Sequence, residues 1–220
     1  MYIQKHSDKW EDLHKDPSLR LKHPSESVIR FIKSNYKDPS NQHILDLGCG
    51  GGRHTIFLAE EGYRTAAIDF SESAIKTLEE SLKDKDLKAE LANQSIISLP
   101  FDNDTFDGII SFAVIYYFLK LDIKQIIKEI HRTLKVGGKA FLVVRTNRDK
   151  RFGQGSEVER NTFRMQSNFT NEQDMIIHFF DLEEIYELFS DFMSIQVGII
   201  EESMDSLTTY NSDYLITVTK

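Results

Sequence analysis

The run from His43 to Arg53, HILDLGCGGGR, constrains this chain more than any other stretch. Ile44, Leu45 and Leu47 give the continuous apolar run of a short parallel strand covered on both faces. Gly48, Gly50 and Gly52 follow at alternate positions, where the chain must turn sharply and a ligand can lie against backbone. A helix is predicted from about His54 to Glu61, with its free N–H groups facing the loop and Gly62 closing it. A second strand, Arg64–Asp69, ends in a carboxylate 19 positions after Gly50. Strand, glycine loop, helix, strand and acid in this order describe the nucleotide-binding half of a doubly wound α/β sheet.

The loop discriminates between ligands. A dinucleotide site asks for G-x-G-x-x-G with the pyrophosphate on the helix N-terminus; position 53, where the third glycine would fall, is Arg53. The spacing that fits is Asp46-x-Gly48-x-Gly50-x-Gly52. A carboxylate two places before the first glycine repels a pyrophosphate and pairs with an ammonium group. Asp69 is suited to accept both hydroxyls of a ribose, which serves either ligand class. This pattern resembles motif I of the class I S-adenosylmethionine-dependent methyltransferases, in which the loop wraps the amino-acid end of the cofactor. The resemblance implies a three-layer α/β/α Rossmann-like fold. Its sheet has seven strands in the order 3-2-1-4-5-7-6, with strand 7 antiparallel.

The resemblance extends over roughly Pro24–Arg145, including the Leu134–Lys139 run LKVGGK, and to the C-terminal hairpin by pattern alone. It implies cofactor contact for Asp46, Gly48, Cys49, Gly50, Gly52, Arg53, Asp69, Phe70, Gln94, Ser95, Ile96 and Phe112. One position departs from the family. Many members carry an acid five places before the proline of the segment ending Leu99-Pro100, to meet the adenine amino group; here Ser95 stands there, with Gln94 beside it. Either side-chain oxygen can accept that hydrogen bond. The layout is also similar to the tellurite-resistance type of small methyltransferase.

Along the rest of the chain the reading is as follows. Residues 1–23 form an arm, either mobile or a short helix over the cofactor, in which Trp10 is a packing residue or part of the site. Pro24-Ser25-Glu26 opens a helix with Val28, Phe31 and Ile32 on its apolar face. Ser71 caps a helix carrying Ala74, Ile75, Leu78 and Leu82, and Lys88–Ala92 is a weak third strand. Phe106–Phe112 is the fourth strand, with Asp107 in a structural role at its edge. Asp122-x-x-Gln125 reads as a capping box for a helix on which His131 faces outward. A fifth strand covers Lys139–Arg145. Asp181 and Glu184 read as a second capping box, and Phe192–Ile200 and Tyr214–Thr219 as the closing hairpin.

Acceptor-side candidates lie beyond the strands' C-terminal ends, above the ligand crevice. Tyr116 and Tyr117 follow the fourth strand and read as core or as pocket lining. Residues 146–180 show no periodicity and are long for a loop, the mark of a lid, here expected to be partly helical or hairpin-like. Arg145, entering it, is the candidate for a substrate anion, with Glu157 or Glu159 as alternative salt-bridge partners. His178 and Tyr116 are the candidate bases for a hydroxyl acceptor; an amine or thiol needs none.

Composition narrows the function. Lys and Arg number 27 against 35 Asp and Glu, a net charge of −8, which argues against a nucleic-acid partner. The single cysteine, Cys49, excludes an internal disulfide and a cysteine zinc cluster, and no ligand spacing for a metal is visible. No apolar run approaches a membrane span or a signal peptide, so the expectation is one cytoplasmic domain over 1–220 acting on a small molecule. Oligomeric state is left open. The alternatives to a methyltransferase are an NAD(P)-binding oxidoreductase, disfavoured by Asp46, Arg53 and the lack of a Tyr-x-x-x-Lys pair, and a non-catalytic cofactor-binding member of the same fold.

Overall fold

The structure is a computed structural model that describes residues 2–166 and 171–220, with side chains from Lys9 onward. Its centre is a seven-stranded sheet: β1 (His43–Leu47), β2 (Arg64–Asp69), β3 (Glu90–Asn93), β4 (Phe106–Phe112), β5 (Leu134–Arg145), β9 (Ser194–Glu202) and β10 (Asn211–Thr219), in the order β3-β2-β1-β4-β5-β10-β9. The pairs from β3 to β5 are parallel, and β10 runs antiparallel to both β5 and β9. This is the expected topology, with β9 and β10 as its sixth and seventh strands.

The helices are α1 (Tyr2–Lys15), α2 (Glu26–Asn35), α3 (Arg53–Glu60), α4 (Glu72–Asp84), α5 (Lys120–Thr133) and α6 (Leu182–Leu188). Apolar faces at three- and four-residue spacing drive their packing. Val28, Phe31 and Ile32 of α2 pack with Phe57 and Leu58 of α3 on one side of the sheet; Ile123, Ile126, Ile127 and Ile130 of α5 pack on the other. β1 is buried along its whole length, as a strand sandwiched between helix layers must be. Gly52 is held at φ +84°, and a Cβ there would lie 2.2 Å from Leu78 Cδ1, so only glycine allows α4 to pack this close to the loop.

Two elements differ from the sequence expectation, and the 146–180 segment takes the hairpin-like of its two expected forms. α5 begins at Lys120, before the expected Asp122 cap, because its first-turn amide is satisfied from a distance: Glu159 Oε1 accepts from the Lys120 N–H at 2.7 Å. β5 begins at Leu134 rather than Lys139, since the Leu134–Gly138 run keeps pairing with β4 across a register shift. The segment 146–180 forms its own three-stranded antiparallel sheet: β6 (Gly155–Glu159), β7 (Thr162–Met165) and β8 (Ile176–His178). Residues 167–170 of that segment lie outside the described residues. Phe163, Met165, Ile177, Phe179 and Phe180 from this sheet and its exit join the same hydrophobic cluster as Leu45 and Ile109 of the main sheet.

Candidate functional site

A cavity of about 660 Å³ opens at the C-terminal ends of the parallel strands, over the glycine loop. That is the crevice a doubly wound sheet offers to ligands, and its size suits a cofactor plus a small molecule. Four elements wall it: the Gly48–Arg53 loop, the end of β2 at Asp69 and Phe70, the Phe112–Phe118 segment after β4, and α1 with the chain that follows it. Asn171, Glu172 and Met175 of the accessory segment close one end.

The loop is locked from below. The Gly48 and Cys49 amides donate to Ile68 O at 2.8 and 3.0 Å, and the Gly52 amide donates to Cys49 O at 3.0 Å. Asp69, only 6% exposed, ties loop to strand: Oδ2 accepts from Gly50 N–H and Oδ1 from Ser71 N–H, each at 2.9 Å. Its carboxylate is therefore fixed in position on the cavity wall. Gly48 has φ +73° and Gly50 φ +51°, and a side chain on Gly51 would meet only open space, so the loop presents bare backbone.

Asp46 is placed differently from the expectation. It is 2% exposed beneath the loop, does not line the cavity, and accepts from Thr55 Oγ1 at 2.7 Å. Burial pushes its carboxyl up to about 6, partly opposed by the bond from Thr55. Its structural role is to pin the first turn of α3, not to meet a ligand ammonium directly. Gln94 and Ser95 are exposed and turned away, Gln94 donating to Ser98 O at 2.9 Å, while Ile96 is buried and faces the cavity. Cys49, Arg53, Phe70 and Phe112 line it, with the Arg53 guanidinium 4.9 Å above the Phe112 ring.

On the acceptor side only Tyr117 of the sequence candidates reaches the wall. Tyr116 is 1% exposed and accepts from Arg145 Nη2 at 2.9 Å. Arg145 is buried in ion pairs with Asp149 at 3.1 Å and Asp213 at 3.5 Å, not with Glu157 or Glu159. His178 is fully buried on β8, bonded to Thr162 at 2.7 Å and Glu184 at 2.9 Å. Arg145 as an anion site, and His178 and Tyr116 as bases, therefore give way to structural roles, because each spends its polar atoms inside the protein. Asp181 does cap α6, accepting from Glu184 N–H at 2.9 Å, but the Glu184 side chain reaches His178 and Lys120 instead of completing the box.

Sequence reasoning missed most of α1. Glu11 accepts from Ser71 Oγ at 2.6 Å and is bonded to Ser73 Oγ; His14 lies against Gly50; and Trp10 packs edge-on against Tyr117 at 4.9 Å. Trp10, Leu13 and His14 sit at i, i+3 and i+4, one helical face, which is the signal that marks them. Glu172 had no local signal. It is 7% exposed, accepts from Tyr117 OH at 2.7 Å, and pairs with Arg151 at 2.9 Å.

A family model described as a methyltransferase domain matches residues 44–138. A SAM-dependent methyltransferase structure from Methanosarcina mazei superposes with a TM-score of 0.71 at 27% identity, over 86% of this chain and 96% of that one. These matches support a class I S-adenosylmethionine-dependent methyltransferase. The methyltransferase is 29% identical over 179 residues to the ubiquinone biosynthesis O-methyltransferase of Rickettsia felis, covering 81% of this chain and 69% of the relative. It is 32% identical over 122 residues to a cypemycin N-terminal methyltransferase from a Streptomyces species, covering 54% of this chain and 48% of that protein. It is an enzyme whose cofactor is S-adenosylmethionine, and these findings give no support to the nicotinamide alternative.

The residues fit that cofactor. Gly48 and Gly50, both left-handed, offer backbone without side chains, and the Asp69 carboxylate is fixed by two backbone amides, a set suited to the methionine end and the ribose of that cofactor. Among the described residues no helix is long and apolar enough to cross a membrane, and no group of three histidine, cysteine, aspartate or glutamate side chains is set to hold a metal.

Proposed function

We propose that this methyltransferase transfers the methyl group of S-adenosylmethionine to an oxygen or nitrogen atom of a small, largely apolar acceptor. The observation that carries this is the single cavity wall shared by the bare glycine loop with Asp69 and by the aromatic and aliphatic surface of Trp10, Leu13, Val114, Tyr117, Phe118 and Met175. The names of its relatives, one an O-methyltransferase and one an N-terminal methyltransferase, support both acceptor atoms.

Asp69 is assigned to the ribose hydroxyls, and the Gly48–Gly52 backbone to the methionine end. Phe70, Ile96, Phe112 and Arg53 complete the cofactor walls, and Tyr117 contacts the acceptor. When bound, the cofactor supplies a sulfonium carbon that is already strongly electrophilic. The chain's own work is then to hold the acceptor in line and to keep water out. The α1 helix and the 146–180 segment, closing over the crevice from two sides, are suited to that exclusion.

The test is calorimetric titration with S-adenosylhomocysteine. The wild-type protein is expected to bind, and Asp69→Ala to lose about 2–4 kcal/mol of binding free energy, since two charge-assisted hydrogen bonds disappear. Circular dichroism checks that the variant stays folded, because Gly50 and Ser71 also lose their acceptor. Unchanged affinity in a folded Asp69→Ala protein removes the assignment.

A further inference from the structure

β9 ends the main sheet, and among the described residues no strand pairs with its outer side. A free edge presents a row of unpaired N–H and C=O groups. Soluble proteins blunt such an edge with a short strand, a bulge, a proline or a lysine. β9 has none of these. It runs nine residues, Ser194–Glu202, with the sequence SIQVGIIEE, and its register with β10 continues without a shift over the whole strand. Apolar side chains gather along the same edge. Ile199 and Ile200 are exposed on the strand, and Met193 at 74% and Met204 at 88% exposure flank its two ends.

The strand is complementary to a second copy of itself. Antiparallel pairing about a two-fold axis through Gly198 gives every residue of β9 an opposite number. Ser194 then faces Glu202 of the second copy, Ile195 faces Glu201, Gln196 faces Ile200, and Val197 faces Ile199. No glutamate faces a glutamate, whereas parallel pairing in register would set Glu201 and Glu202 beside their own copies, a destabilising arrangement. The Val197–Ile199 pair occurs twice, β-branched against β-branched on one face. Carried one step further, the register brings Met193 beside the Ser203–Met204 segment of the second copy. The exposed apolar groups of this edge thus meet one another.

We propose that this chain forms a symmetric dimer through β9, joining two seven-stranded sheets into one continuous sheet. The proposal goes beyond the methyltransferase reading and does not rest on it. Among the described residues none of β5, β9 or β10 lines the cavity, so the pairing leaves the site of each copy outside the interface.

Sedimentation velocity on the full chain at tens of micromolar tests this. About 0.15 M salt screens the repulsion between two chains of net charge −8 beyond roughly 8 Å. The wild-type protein is expected to sediment with twice the mass of one chain. Ile199→Lys and Ile200→Lys put a charge on the edge; each should sediment as one chain with an unchanged circular dichroism spectrum. Leu121→Lys, at an exposed position on α5, should remain a dimer. A wild-type protein that sediments as one chain overturns the proposal. So does a dimer that survives in both folded isoleucine variants, or one that is lost in Leu121→Lys. Hydrogen exchange on the wild-type protein decides the matter if the isoleucine variants fail to fold. Protection of alternate β9 amides that rises with protein concentration supports the pairing, and protection independent of concentration overturns it.

Discussion

At the scale of single residues, the site rests on carboxylates that look alike in sequence and differ in surroundings. Asp69 ends a strand where two backbone amides reach it, and it faces the cavity. Asp46 lies under the loop with Thr55 as its side-chain partner, and burial raises its pKa to about 6. The sign of its effect on stability follows. An unfolded aspartate titrates near about 4, so between that pH and about 6 the folded chain binds the proton more tightly. The stabilisation is full below that window and lost as pH rises through it. Asp46→Asn removes the titration and keeps an oxygen for Thr55. The stability of the variant relative to wild type should therefore climb from about pH 4 to above pH 6, by up to about 3 kcal/mol, as read in denaturant titrations at each pH. A difference that stays flat across that range would mean that Asp46 is not the buried, titrating group. How legible the site was follows the same division. The glycine spacing and Asp69 were readable because backbone turns and a strand-end acid leave local patterns. The fate of Asp46 was not, since whether a carboxylate faces ligand or helix depends on how α3 packs. Arg145 and His178 were misleading for the same reason: a charged residue at a strand's end looks free until its partners, Asp149, Asp213 and Glu184, fold next to it.

At the scale of elements, the sheet and helices declared themselves by periodicity, and the failures came where the partner is distant in sequence. The start of α5 is fixed by Glu159, 39 residues away, and no local rule finds such a cap. The accessory sheet shows no clean alternation because its strands are short and one of them, β6, is mostly exposed. The α1 helix is the element most open to test. Glu11 anchors it to the N-terminal turn of α4 through Ser71 and Ser73, with Ser71 also serving as the cap of that helix. The latch sits beside Asp69, so α1 and the cofactor wall are coupled through Ser71. Glu11→Ala should free α1 without touching any residue assigned to the cofactor. The expected result is weaker S-adenosylhomocysteine binding by about 1 kcal/mol, roughly fivefold, together with faster amide exchange confined to α1. Unaltered exchange in α1 would show that Trp10 and Leu13 hold the helix without the latch.

At the scale of the whole molecule, the question is whether the accessory sheet is a movable lid or part of one folding unit. Its aromatic residues belong to the main hydrophobic cluster. Its connection to the main sheet is also polar and buried: Arg145 at the end of β5 binds Asp149 just beyond it, Asp213 of β10 and Tyr116 after β4. Asp149 in turn accepts from Ser212 N–H at 3.0 Å and pairs with Arg151, which holds Glu172. Removing one member of such a cluster leaves its partners charged and unpaired, a loss of about 3–5 kcal/mol. Arg145→Ala should therefore lower the stability of the entire protein by about that amount, in one transition seen alike by far-ultraviolet circular dichroism and tryptophan fluorescence. Trp10 is a fair reporter, since it lies against Tyr117 at the junction of both sheets. Were Arg145 a substrate-binding residue instead, its loss would reduce acceptor affinity and leave the melting curve in place. Were the accessory sheet an independent lid, the two signals would separate, fluorescence changing before the main sheet melts. A single coincident transition, shifted down in Arg145→Ala, means that the lid-forming segment is held by the same cooperative unit that builds the cofactor site. Access to the cavity would then fall to α1 rather than to the 146–180 segment.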